Sequence, residues 1–260
     1  MLLRRSRALF QPAARRALAT AADSGFSAEK FSAPALPANL EVHELPLALA
    51  TEESLAGFGL LVQSRDEFTV ARGNFEIETW PLSGWRKMDD GCGDEAGTVE
   101  GEFAVEWKGD FFYGHNLAIA IASNYYLDGL ARAPEDARHE RSDEELAAVD
   151  AIYLWMSDYH PDGAQLFWPE SPIPFVVNLG PASCGDDVKP EDMRAFYVPA
   201  GKGVYLHPGT WHNGVYCLPE HCGAAGGTAR FLTRQGRVHA RVSASWAEEF
   251  GCLLKVPLRL

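Results

Sequence analysis

A chain of 260 residues, 47% apolar and 23% charged, is long enough to close a substantial hydrophobic core and has the composition of an ordinary globular protein. Its formal net charge of −13 excludes nucleic acid and anionic membrane surfaces as expected partners, since both repel an acidic chain. No apolar run approaches the roughly 20 residues a bilayer-spanning helix needs.

The first 22 residues carry Arg4, Arg5, Arg7, Arg15 and Arg16 and no carboxylate, the first acid being Asp23. Interleaved with Leu2, Leu3, Leu9, Phe10 and Leu18, these arginines form a cationic stripe beside an apolar one. That is the composition of a mitochondrial transit peptide, so the matrix is the expected compartment. Residues 23–42 read as an extended Pro- and Ala-rich linker, and 43–260 as one domain. Cys92, Cys184, Cys217, Cys222 and Cys252 form no C-x-x-C pair. They read as reduced thiols, as a matrix protein would hold them.

Thr51 as an N-cap, with Glu52 and Glu53 behind it and Gly57 after a short apolar stretch, predicts one short helix. From 68 to 123, "FTVARG", "FEIETWPL", "GEFAVEWKGDFFYG" and "LAIAIAS" predict strands separated by Gly, Pro, Asp and Asn. The acidic glycine loop at 89–97 lacks the ligand spacing of a calcium loop. Residues 132–150 form a charged, partly helical insertion. Beyond 151, "AIYLWMSDYH", "AQLFWP", "PFVVNLG", "MRAFYVP", "GVYLHPG", "GVYCL", "ARFLTR", "VHARVSA" and "GCLLKVPL" are short strands at close spacing. The pattern predicts an all-β domain with a few short helices, a barrel or sandwich and not βαβ units. No phosphate-binding glycine loop and no G-x-S-x-G elbow occurs.

Two segments place polar side chains where alternation alone would not. In "SDYHPDGAQLFWP", Asp158 and His160 are two apart and share a face if the segment is a strand, and Gln165 follows across a Pro-Asp-Gly turn. In "YLHPGTWHNGVY", His207, Trp211 and His212 flank a Pro-Gly turn. Imidazoles with a carboxylate or amide oxygen make a mixed N/O site for a first-row divalent metal, with open positions for catalysis. Taken singly, each histidine is an ordinary turn residue; together they predict a site, with a metal in it or none.

These residues resemble the two cupin motifs and, more closely, the cupin-like ureidoglycolate lyase family. The family's His-Pro-x-Gly-x-Gln-x-Phe-x-Pro stands as His160 to Pro169, and its Gly-Val-x-x-His-x-x-x-Trp-His as Gly203 to His212. The likeness runs from about 150 to 218; the rest looks like a divergent branch. It implies a cupin-like, jelly-roll-like double-stranded β-barrel, a small-molecule substrate and a homodimer. It also implies lyase chemistry that releases urea and glyoxylate from ureidoglycolate, which needs a general base and a general acid. His160, Gln165 and His212, joined by Asp158, would be substrate or metal ligands (nickel, manganese or zinc), Asp158 alternatively orienting an imidazole. His207 would be base or acid, Trp211 an apolar wall, and Arg241 a clamp on the carboxylate. A non-catalytic cupin-like binding or structural protein of mitochondria, or a cupin enzyme of other specificity, is the alternative.

Overall fold

The computed structural model describes residues 35–68, 76, 84–88, 97–118, 125–134, 142–222 and 227–260. The arginine-rich leader, the first two predicted strands apart from single residues, most of the acidic glycine loop and all but the first two residues of the "LAIAIAS" segment lie outside them. A compact body spans Ala33–Leu260. Its strands in chain order are β1 (Glu41–Glu44), β2 (Leu47–Leu49), β3 (Gly59–Val62), β4 (Thr98–Lys108), β5 (Phe111–Asn116) and β6 (Tyr125–Leu130). After a short helix α1 (Asp143–Ala147) come β7 (Ala151–Leu154), β8 (Met156–Tyr159), β9 (Gln165–Pro169) and β10 (Phe175–Gly180). The last run is β11 (Arg194–Val198), β12 (Gly203–Leu206), β13 (Trp211–His212), β14 (Thr228–Gly236), β15 (Val242–Ser245), helix α2 (Trp246–Glu249) and β16 (Cys252–Pro257).

Among the described residues ten strands form one sheet, in the order β1-β16-β7-β6-β5-β4-β14-β9-β12-β3, and six form a second, β15-β8-β13-β10-β11-β2. The all-β expectation holds, and the jelly-roll-like architecture takes the form of two open sheets packed as a sandwich. Aromatic side chains join the layers. Phe175 of β10 meets Phe231 of β14 edge-on at 5.1 Å between ring centres, a geometry worth roughly 1 kcal/mol beyond its buried area. Phe103 and Phe167, 5.3 Å apart, continue the same core within the large sheet.

Three local expectations change in the structure. The stretch after Thr51 makes a single turn: Thr51 caps it through Ser54 N–H at 3.0 Å, and Leu55 N–H reaches Thr51 O at 3.0 Å. Gly57, with φ +88°, turns the chain into β3 before a helix can extend. "AIYLWMSDYH" is two strands, because β7 pairs in the large sheet and β8 in the small one. The linker read as 23–42 is not free at its C-terminal end, where β1 begins at Glu41, and the first residues of the domain continue it into β2. β1 pairs parallel with β16 and β2 parallel with β11, so residues 41–49 edge both sheets. In the charged insertion, Ser142 and Glu145 form a reciprocal capping box on α1, as an N-terminal Ser-x-x-Glu favours.

Candidate active site between the sheets

Backbone pairing brings the two motifs together. β9 of the first motif pairs with β12 of the second, setting Gln165 opposite Leu206. β8 pairs with β13, setting Asp158 opposite His212. Between them, Gly209 N–H in the Pro-Gly turn donates to His160 O at 3.0 Å. A third segment closes the arrangement: β14 sets Gln235 opposite Gln165, and β15 sets Ser243 opposite Asp158. The residues linking those two strands, 237 to 241, therefore pass beside His160.

The side chains that meet there are His160, His212, Gln165, His239 and Gln235. The His160 and His212 rings are 5.0 Å apart between centres, and His160 and His239 only 3.8 Å. His160 Nδ1 lies 2.9 Å from Ala240 O. A carbonyl can only accept, so Nδ1 carries the proton and Nε2 is left with the lone pair. His212 Nδ1 is 2.7 Å from Thr210 O and its Nε2 2.8 Å from Gln165 Oε1. A neutral imidazole has one N–H for these two oxygens, so it donates to one of them and meets the other with its lone pair. The Gln165 amide also reaches Gln235 Oε1 at 3.2 Å, which accepts from Asn116 Nδ2 at 3.1 Å.

Burial keeps the histidines neutral. It pushes His160 well below the usual histidine range, helped by His239 and His212 beside it. Burial likewise takes His212 down to about 4 and His239 to about 3. Beside the cluster stand Asp158 and Arg241, whose side chains are 18% and 47% exposed and whose charged groups lie 3.9 Å apart, and the Arg241 charge acts on His160 and His239. Inside it, His239 Nδ1 and Gln235 Nε2 are buried without a hydrogen-bond partner among the described residues. Such atoms cost about 1–3 kcal/mol each unless something polar meets them.

Two residues expected in the site stand elsewhere. His207 follows Tyr205 on the outer face of the large sheet, the opposite side from Leu206 and Gln165. There its Nδ1 contacts Glu76 Oε2 at 2.7 Å, and Tyr205 Oη donates to the same oxygen at 2.9 Å. Trp211 precedes His212 on a strand, so alternation turns it to the other face. It is fully buried against Tyr159, 4.8 Å between ring centres, and donates from Nε1 to Gly185 O. Neither reaches the histidine cluster. His239 and Gln235 are the members that sequence reasoning missed. His239 is one of two non-glycine residues with positive φ among those described, at 49°, and Asp162 Oδ2 holds its N–H at 2.9 Å. A non-glycine residue in this region is strained, and the buried Asp162 carboxylate is what retains it.

A divalent metal fits this donor set poorly. Among the described residues no group of three or more His, Cys, Asp or Glu is placed to hold one. His212 is engaged at both ring nitrogens, and His160 at Nδ1.

Comparison with known proteins locates the likeness in the same place. The family model for ureidoglycolate lyase matches residues 132–224. A ureidoglycolate lyase of Azotobacter vinelandii is 27% identical over 114 residues, 44% of this chain and 68% of the relative. One of Stutzerimonas stutzeri is 33% identical over 88 residues, 34% of this chain and 51% of the relative. One of Pseudomonas savastanoi pv. phaseolicola is 33% identical over 69 residues, 26% and 39% respectively. The chain thus spans between 39% and 68% of the length of these three relatives. Residues 132–224, which supply His160, Gln165 and His212 to the cluster, are thus similar to the ureidoglycolate lyase family.

Proposed function

We propose that the protein is a ureidoglycolate lyase-like enzyme, splitting ureidoglycolate into glyoxylate and urea. One observation carries this reading. The two motifs shared with the family converge on neutral histidines, and polar atoms beside them lack a partner that a small polar ligand would supply.

The substrate carbon bears a hydroxyl, a carboxylate and a ureido nitrogen. His160 Nε2, left with a lone pair because Nδ1–H is held by Ala240 O, removes the hydroxyl proton. Arg241 at the exposed rim takes the carboxylate, with Asp158 beside it steering the guanidinium. Gln235 Nε2 and the Gln165–His212 pair present amide-compatible groups to the ureido end. His239 packs on His160 and fixes the plane of its ring. No step requires His207 or Trp211. Arg241 and its neighbour Asp158 hold the charged end of the site and neutral imidazoles and amides the other, which suits a substrate with one carboxylate and an uncharged leaving group.

Incubating the purified chain with ureidoglycolate, with and without added divalent metals, tests the reading. Glyoxylate and urea should appear in equal amounts; release of neither under both conditions sinks it. The same proposal places the enzyme in the mitochondrial matrix as a homodimer. A reporter fused to residues 1–30 that stays in the cytosol, or sedimentation at the monomer mass, would remove those two parts.

A further inference from the structure

Two of the buried polar atoms that lack a partner lie on one strand. Phe231, Thr233 and Gln235 alternate onto one face of β14, and Phe231 meets Phe175 of the second sheet, so this face looks between the sheets. Thr233 and Gln235 are 2% and 1% exposed, and Thr233 Oγ1 and Gln235 Nε2 make no hydrogen bond among the described residues. Leaving such atoms unmet is unfavourable to the fold, so they mark a place where a polar ligand supplies what the protein withholds. Gln235 is the one that reaches the histidines. Its register partner on β9 is Gln165, whose amide lies 3.2 Å from Gln235 Oε1 at one end and 2.8 Å from His212 Nε2 at the other.

Which end of the Gln235 amide stays free is fixed by a chain of hydrogen bonds that begins on the backbone. Ala118 N–H can only donate, and it reaches Asn116 Oδ1 at 3.1 Å. The other end of the Asn116 amide is therefore its NH2, which donates to Gln235 at 3.1 Å. The Gln235 atom that receives it must be the carbonyl oxygen. Nε2 is then the free end, and it offers hydrogen and no lone pair. A glutamine amide can ordinarily turn end for end; here a backbone donor, acting through Asn116, removes the choice. Asn116 stands on β5 and Gln235 on β14, both outside the residues that match the family.

We propose that Gln235, oriented by Asn116, determines specificity at the leaving group: its Nε2 donates to the carbonyl oxygen of a ureido group and rejects a guanidino group, which puts an N–H in that place. The inference rests on the lyase reading above and adds which leaving group the site selects. A guanidino group would set donor against donor and bring a positive charge among neutral imidazoles and amides. A site built to pair with one polar group discriminates strongly against a ligand that leaves its own group unpaired. Asn116 is a positioning residue, acting through the Gln235 amide.

Calorimetric titration with two unreactive ligands tests this. N-carbamoylglycine keeps the carboxylate and the ureido group and lacks the hydroxyl, so it cannot be cleaved. Guanidinoacetate differs from it in carrying a nitrogen donor in place of the carbonyl oxygen. Wild type should bind N-carbamoylglycine about tenfold or more tighter. Gln235→Glu still accepts from Asn116 but turns an oxygen to the ligand, and should reverse the preference. Asn116→Asp still accepts from Ala118 N–H but offers Gln235 only an acceptor. The Gln235 amide then turns end for end, and the preference should move the same way although residue 116 meets no ligand. Gln235→Met, of similar shape, should bind both weakly and without preference, and it decides the matter if Gln235→Glu does not fold. A wild-type preference retained in Gln235→Met or Gln235→Glu overturns the specificity role, and leaves the lyase reading standing where wild type releases glyoxylate. A wild type that neither binds N-carbamoylglycine nor releases glyoxylate overturns both.

Discussion

Lowering the pH from 7 to 5 should destabilise the protein, and the structure gives the size. His212 and His239 have folded-state values near 4 and 3, against 6.5 for an ordinary histidine. Below 6.5 the unfolded chain therefore binds protons that the folded one refuses. Stability is full above 6.5 and is lost as pH falls toward the folded values. At pH 5 each of these two histidines has lost about 1.5 pH units of linkage, about 2 kcal/mol apiece. Asp128 opposes them. Its value is raised to about 6 from 3.8, so the folded state holds the extra proton and gains stability as pH falls. From 6 down to 5 that gain is about 1 kcal/mol. The histidines win, with a net loss of about 3 kcal/mol before His160, which shifts the same way, is added. Urea unfolding at the two pH values measures it, and His212→Gln should reduce the difference by about 2 kcal/mol. Equal stability at pH 5 and 7, or a rise toward pH 5, would refute the picture of buried neutral imidazoles.

Two other predictions follow from the same geometry. His160→Ala and His212→Ala should each abolish most turnover with the fold retained, and the double change should be little worse than either, as for residues acting as a unit; additive losses would mean separate roles. Arg86 forms a two-pronged pair with Glu249, both contacts at 2.7 Å, and donates to Asp186 O at 2.7 Å. Arg86→Met should cost about 1–2 kcal/mol in urea unfolding, chiefly by leaving the Asp186 and Ser243 carbonyls without their donor while Glu249 keeps contact with solvent, and a cost within error of zero would contradict the network.

The histidine motifs were legible because their information is local. Two-residue spacing before a Pro-Asp-Gly turn puts Asp158 and His160 on one face, and adjacent pairing of the motif strands does the rest. The misplacement of Trp211 was legible too, since neighbours on a strand cannot both point inward. His207 needed more: only the register of β12 against β9 shows that it shares a face with Tyr205 and not with Gln165. His239 was hidden for another reason. Its place depends on a positive φ held by Asp162, 77 residues away. Nothing in "VHARV" announces that, although a histidine two before Arg241 was a hint. The parallel pairings of β1 and β2 are likewise non-local, and a Pro- and Ala-rich arm gives no sign of them.

The likeness to the family ends where the fold does not, and this yields a last prediction. Residues 132–224 contain β7 to β13. Within that stretch the sheet contacts are β10 with β11 and β13, β9 with β12, and β8 with β13. The other partners lie outside: β9 pairs with β14 over five residues, β8 with β15, β7 with β16, β12 with β3 and β11 with β2. Cutting the segment free would expose edges on both sheets and strip Phe175 of Phe231 and Phe167 of Phe103. The site would go with them, because His160 loses Ala240 O and the His239 ring, and Gln165 loses Gln235. Residues 132–224 expressed alone should therefore show no cooperative unfolding transition and poor dispersion of amide resonances, whereas 33–260 should fold. A folded fragment would mean that the outer strands merely decorate a self-sufficient core. The sequence divergence outside the matched segment would then bear little on the site, whereas strands that complete it make that divergence a direct means of changing its chemistry.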